Sequence, residues 1–241
     1  MRKYTVEFLG TFFLAFTICT SVIGGAALAP LAIGGVLIAL VFAGGHISGA
    51  HYNPAVTVAV AVRGRISPRD IAPYIASQIA GATLAGAAAR VVIGHGAAQA
   101  FSVSGRQLGA AAVAELLLTF ALAYVVLNVA TSKDHPNNSF YGLAIGLTVL
   151  AGAVSVGAIS GGVFNPAVGA GVVVAGILSP LMLGVYVVVE CIGAAAAALI
   201  FRWLNPDDLA PEPEAAAEAV VPAARAPLAD EVLSPQRSRA S

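Results

Sequence analysis

Gly44-Gly45-His46-Ile47-Ser48-Gly49-Ala50-His51-Tyr52-Asn53-Pro54-Ala55-Val56-Thr57 is the stretch whose reading decides the fold of this chain. It opens with glycines and small polar residues, then turns into Asn-Pro-Ala. Asparagine is a strong helix N-cap and proline suits the first helical position, so a helix is predicted to start at Pro54. Arg63-Gly64 supplies its stop. Such a helix is about nine residues or ~13 Å long, roughly half of a ~30 Å hydrocarbon core. The stretch lies within residues 8–62, which contain no Asp, Glu, Lys or Arg. Irregular backbone in so apolar a run is tolerated at membrane depth only where it lines a cavity.

The same text recurs. Ile159-Ser160-Gly161 and Phe164-Asn165-Pro166-Ala167-Val168 repeat Ile47-Ser48-Gly49 and Tyr52-Asn53-Pro54-Ala55-Val56 at an offset of 112. That offset also carries Gly64 onto Gly176, Tyr74 onto Tyr186 and Gly81 onto Gly193. Upstream, Val6-Glu7-Phe8-Leu9-Gly10-Thr11-Phe12 matches Ala114-Glu115-Leu116-Leu117-Leu118-Thr119-Phe120 at an offset of 108. The second short helix is predicted to start at Pro166 and to stop at Gly176. Asn-Pro-Ala alone is a weak signal, since any loop-to-helix junction can use it. Two copies at one offset, each behind Ile-Ser-Gly in an uncharged run, point to a repeated architecture.

Composition places both copies in a bilayer. Of 241 residues, 59% are hydrophobic and only 10% charged, with mean hydropathy +0.89. Residues 8–62 and 135–189 are uncharged runs of 55 residues each, room for two spanning helices of about 20 residues and a shorter piece. The runs are solidly apolar rather than alternating, which excludes barrel strands. Spans are predicted near 5–26, 31–48, 71–93, 109–131, 140–157 and 180–203. Three spans per repeat is an odd number, so the second copy enters the membrane upside down. The fold class is therefore an all-α membrane protein with six transmembrane helices and two re-entrant half-helices in an inverted repeat. Residues 1–204 form the six-helix domain, with repeats about 1–94 and 109–204. Residues 205–241 carry six prolines, seven acidic residues and three arginines, and read as a disordered cytoplasmic tail whose removal after Asn205 leaves the fold intact.

Arg2, Lys3, Arg63, Arg65, Arg69, Lys133 and Arg202 fall on one side of the predicted spans, with Arg90 and Arg106 near the other. The positive-inside rule then puts both termini in the cytoplasm, in a multi-pass protein of the plasma (inner) membrane. Arg2-Lys3, the apolar run and Ala27-Leu28-Ala29 resemble a signal peptide. Glu7 interrupts that reading, and the repeat needs the segment as a first span. Net charge is zero, which gives no basis for a nucleic-acid partner. Cys19 and Cys191 have no metal-like spacing and read as small buried hydrophobes. No cofactor and no metal site is expected.

Two half-helices entering from opposite faces meet N-terminus to N-terminus near the midplane. Their positive dipole ends add there, and Asn53 and Asn165 bring amide donors to the cavity. Carbonyls of Gly49, Ala50 and His51, and of Gly161, Gly162 and Val163, supply acceptors along the re-entrant stretches. A neutral solute finds donors and acceptors in sequence, while a cation or proton meets a positive barrier.

On these residues the chain resembles the major intrinsic proteins, the aquaporin and glycerol-facilitator family, along nearly all of residues 1–204. Gly45 to Thr57 is very similar to the family's first signature. The resemblance implies six tilted helices around one pore per subunit, usually in a homotetramer. It also implies that Glu7 and Glu115 are buried structural carboxylates bracing the re-entrant loops through backbone donors. The expected activity is passive passage of small neutral solutes (water, glycerol, urea or dissolved gases) across the lipid bilayer. A structural or adhesive protein on the same scaffold is the alternative. An enzyme is not expected, because no metal-spaced cluster or nucleophile–base pair is present.

Two departures from the family stand out. Most members place an arginine directly after the second Asn-Pro-Ala, where this chain has Val168. Aligned on the two motifs, the other positions of the family's narrow filter fall at Ile33, Ala153 and Gly162. No aromatic, histidine or charge remains in that set, so the constriction is expected to be wider and less polar. Glu190, repeat mate of Gln78, stands where the family usually has proline. It is expected to be protonated or hydrogen-bonded on a helix–helix face.

Overall fold

The computed structural model describes residues 1–94 and 100–208. Within them the chain forms α1 (Arg2–Ile23), α2 (Ala29–Ser48), α3 (Pro54–Arg63), α4 (Pro68–Ile93), α5 (Gly105–Thr131), α6 (Tyr141–Ser160), α7 (Pro166–Val174) and α8 (Pro180–Leu204). α1, α2, α4, α5, α6 and α8 are long and apolar enough to cross a membrane. α3 and α7 have 10 and 9 residues, about 15 and 13 Å. They are the two half-helices predicted from the Asn-Pro-Ala segments.

Local chemistry sets the boundaries. α2 and α6 stop where Gly49 and Gly161 take left-handed backbone, φ +83° and +89°, and each donates its N–H back to the carbonyl four residues earlier. Pro68 and Pro180 open α4 and α8 behind Ser67 and Ser179, so α4 begins three residues before its predicted start. α7 ends at Val174 rather than at Gly176, which instead carries the chain away with φ +80°. A short parallel bridge between Phe101 and Leu178, absent from the sequence expectations, ties the loop before α5 to the loop before α8.

Lipid is as apolar as a leucine side chain, so spanning helices associate through close packing rather than through the hydrophobic effect. α1 against α4 and α5 against α8 are the most extensive contacts, and they are repeat mates. Gly81 lies on the carbonyl of Phe8 and Gly193 on that of Leu116, each leaving no room for a Cβ. Ala82, Ala85 and Ala89 on α4, and Ala194, Ala197 and Ala198 on α8, are fully buried beside them. α2 and α6 cross at Gly34 and Gly146, where a Cβ on either would fall 2.9 or 2.6 Å from the other's carbonyl oxygen.

The expected domain end at residue 204 is corrected at one point. Pro206–Asp208 forms a 3₁₀ turn, and Asp208 is buried at 2% exposure. Its Oδ1 pairs with Arg63 Nη2 at 2.8 Å and Arg65 Nη2 at 3.3 Å, and its Oδ2 accepts from the Lys133 backbone N–H at 3.2 Å. Arg63 also stacks over the Phe201 ring, 4.8 Å from its centroid. Six prolines and seven acids over 37 positions hid one acid whose neighbours are folded arginines. The remainder of the expected tail, 209–241, lies outside the described residues.

Candidate pore

Each re-entrant segment follows the same unusual backbone path. Ala50 (φ +51°) and Gly162 (φ +66°) are repeat mates in the left-handed region, as are Tyr52 (φ +47°) and Phe164 (φ +50°). A non-glycine residue there costs about 1–2 kcal/mol. Glu7 offsets that strain in the first segment. Its carboxylate, fully buried, accepts from Ser48 Oγ (2.7 Å), His51 N (3.0 Å), Tyr52 N (2.6 Å) and Gln78 Nε2 (2.8 Å). Each hydrogen bond to a charged group contributes about 1.5–3 kcal/mol, so the bonds outweigh the strain. Glu115, also fully buried, accepts from Val163 N at 3.0 Å and Phe164 N at 2.7 Å. Tyr74 and Tyr186 donate to the carbonyls of Ser48 and Ser160 at 2.8 and 2.5 Å, which explains their pairing in the repeat.

Asn53 and Asn165 cap their half-helices. Asn53 Oδ1 accepts from Ala55 N at 2.8 Å, and Asn165 Oδ1 from Ala167 N at 3.0 Å and Val168 N at 3.2 Å. Pro54, Ala55, Pro166 and Ala167 are all buried behind them. The amide nitrogens do something the sequence did not suggest. Asn53 Nδ2 donates to the Phe164 carbonyl at 2.8 Å, and Asn165 Nδ2 donates to the Tyr52 carbonyl at 2.9 Å. The two segments are thus locked by a reciprocal pair of bonds. An amide NH₂ has two hydrogens, so one remains on each asparagine for the cavity both residues line.

That cavity has a volume of about 70 Å³, enough for roughly five waters at ~10–15 Å³ of centre volume each. Leu14, Ile18 and Val22 of α1, with Leu122 and Val126 of α5, form parts of its wall. Ile33, Ala153, Gly162 and Val168 line it together, and Gly161 and Val163 are beside them. Gly162 sits 3.5 Å from the Ala153 Cα, measured from the position of a Cβ. Ala50 and His51 line the cavity too; Gly49 is not among the lining residues. The His51 ring is turned to Thr57, with Nδ1 3.1 Å from Oγ1. Gln78, Thr57, Ser48 and the asparagine-accepting carbonyls of Tyr52 and Phe164 were missed by sequence reasoning. The repeat itself signals Ser48 and Tyr52, through Ser160 and Phe164; Thr57 faces Gly169 at that offset and leaves no signal.

A family model described as "Major intrinsic protein" matches residues 1–157 and 141–233. "Glycerol uptake facilitator protein-like 6" of Lactiplantibacillus plantarum is 37% identical over 222 residues, covering 86% of this chain and 100% of that protein. "Aquaporin NIP1-2" of Arabidopsis thaliana is 34% identical over 232 residues, covering 86% and 76%. The aquaglyceroporin structure from Plasmodium falciparum superposes with a TM-score of 0.72 at 22% identity, covering 86% of this chain and 98% of that one, which bears on the fold alone.

Proposed function

The chain belongs to the major intrinsic protein family, a family of channels rather than enzymes, and on that premise we propose that it is a passive pore for small uncharged solutes of the water and glycerol type. The carrying observation is one cavity that runs past both Asn-Pro-Ala asparagines between largely apolar walls. A solute gives up hydration to enter. It regains hydrogen bonds from the free amide hydrogens of Asn53 and Asn165 and from carbonyls of the re-entrant segments.

Ions and protons are excluded by the helix ends. Each contributes about +0.5 charge. Two such ends about 5 Å from a monovalent cation repel it by roughly 332/(20 × 5), or ~3 kcal/mol, at an effective dielectric constant of 20. That is more than a hundredfold in occupancy before desolvation is counted. The cation-rich end of the bundle carries Arg63, Arg65, Lys133 and Arg202, and Lys3 of α1 pairs there with Asp70 of α4. This supports an orientation with that end in the cytoplasm of a plasma-membrane protein. Assembly as a homotetramer is proposed from the family.

The filter at Ile33, Ala153, Gly162 and Val168 carries no guanidinium and no ring. A polyol or urea meets fewer clashes there, and a dehydrated water finds fewer partners. Glycerol and urea are expected to permeate with little discrimination between them, and dissolved gases to pass as well. Stopped-flow light scattering of proteoliposomes tests this. Val168→Arg is expected to lower glycerol flux more than water flux, because the longer side chain fills the gap and restores a donor fork. Wild-type vesicles that pass water and reject both glycerol and urea would refute the filter assignment. A unitary cation current in planar bilayers would refute the barrier.

A further inference from the structure

Glu115 of α5 and Glu190 of α8 are both fully buried and meet at the same stretch of backbone. They hold three consecutive amides of the second re-entrant segment. Glu115 takes those of Val163 and Phe164, and Glu190 Oε1 takes that of Asn165 at 3.1 Å. Among the described residues no lysine or arginine forms an ion pair with either carboxyl. The other ionisable neighbours are Tyr186, whose hydroxyl is engaged by the Ser160 carbonyl, and Cys191 on the same helix. Two adjoining carboxylates with no counter-ion do not both stay ionised in such a place.

The first half shows which donor is needed. Glu7 has four: the amides of His51 and Tyr52, the Ser48 hydroxyl and the Gln78 amide. In the second half the amides of Val163 and Phe164 fill the first two places at Glu115, and Ser160, repeat mate of Ser48, stands at the third. The fourth belongs to the repeat mate of Gln78, which is Glu190. A carboxylate offers only lone pairs there, whereas a carboxylic acid offers an O–H. Thr57, which hydrogen-bonds Gln78 in the first half, is replaced by Gly169 in the second, so no hydroxyl approaches from that side. Glu190 Oε2 is accordingly buried with no donor facing it. One hydrogen on that oxygen gives it a partner. The negative charge then stays on Glu115, which already has two backbone donors against one for Glu190.

We infer that Glu190 is held as the neutral acid and is a positioning residue for the second half-helix, donating to Glu115 as Gln78 donates to Glu7 while its other oxygen fixes the Asn165 backbone. The Asn165 side chain that crosses to Tyr52 is therefore aimed by an acid–carboxylate pair. This holds whichever neutral solute the pore passes.

Infrared spectroscopy and flux on the full chain in proteoliposomes test it. Wild type is expected to show a carboxylic-acid C=O band at neutral pH that is absent from Glu190→Gln. Glu190→Gln keeps both hydrogen bonds, so solute flux is expected to stay within about twofold. Glu190→Leu, of similar size without a donor, is expected to lower flux at least fivefold, since it strands the fourth donor site of a buried carboxylate and the Asn165 amide. The proposal is overturned if wild type lacks the acid band or Glu190→Gln retains it. It is equally overturned if the glutamine variant fails as the leucine variant does. The wild-type spectrum decides even if no variant assembles.

Discussion

Cutting the chain after Asn205 removes Asp208 and leaves Arg63 buried without its carboxylate. The two side chains are 2% and 1% exposed and 2.8 Å apart. Removing one partner of a buried ion pair costs about 3–5 kcal/mol, because the remaining charge keeps its desolvation and loses its compensation. Here the remainder is worse than a lone charge, since Arg65 shared the same carboxylate and now faces Arg63 uncompensated. The Phe201 ring and the Thr131 carbonyl, 3.4 Å from Arg63 Nη2, retain part of the stabilisation, so the lower end, about 3 kcal/mol, is expected. For a chain of this size that is about 6–12 °C in Tm. Thermal unfolding in detergent, followed by intrinsic fluorescence, compares truncation after Asn205, truncation after Asp208 and Asp208→Asn in the full chain. The first and third are expected to fall together and the second to match wild type, because truncation after Asp208 keeps the carboxylate that pairs with Arg63 and Arg65. Replacing both partners, Arg63→Met with Asp208→Leu, is expected to recover most of the loss. If truncation after Asn205 unfolds within a degree of truncation after Asp208, the ion pair does not anchor the end of α8 and the reasoning fails.

Asn53→Asp keeps the cap acceptor but leaves the Phe164 carbonyl without its donor, so a loss of about 1–3 kcal/mol is expected along with a cation leak in planar bilayers; unchanged Tm would mean the cross-segment bond is not formed. Gly34→Ala is expected to lower Tm by several degrees because its methyl meets Gly146 and Leu150, at about 1–3 kcal/mol for overpacking. Gly35→Ala, facing open space, serves as its neutral partner, and equal effects from the two would sink the assignment of the α2–α6 crossing.

The half-helices were legible because two local rules coincide at Asn53-Pro54 and again at Asn165-Pro166. A cap acceptor followed by a proline leaves few backbone solutions, and the absence of charge over the flanking runs leaves only a membrane to hold them. The inverted repeat was legible because three spans per copy is odd. What stayed hidden depends on contacts distant in sequence. The bond from Asn53 to the Phe164 carbonyl joins residues 111 apart, and the Arg63–Asp208 pair joins α3 to a segment whose average composition resembles linker. Gln78 looked like an ordinary polar residue until the helix crossing at Gly81 brought it to Glu7. Its mate Glu190 drew notice as an intramembrane acid, but its partner was beyond what periodicity reveals.

Why both positions are asparagine follows from the three tasks that meet there. Serine, threonine or aspartate would accept the helix N–H groups about as well, so capping alone does not select the residue. Crossing to the opposite segment needs a donor, which removes aspartate. Facing a solute while crossing needs a second donor on the same atom, which removes serine and threonine, whose hydroxyl has one hydrogen. Glutamine has the hydrogens, but its extra methylene would drive the amide past the cap it must also make. Asparagine alone caps its own helix, donates to the facing carbonyl and keeps one N–H for the cavity. Each half therefore fixes the other's donor in place, and the cavity that both asparagines line lies where the two segments hold each other.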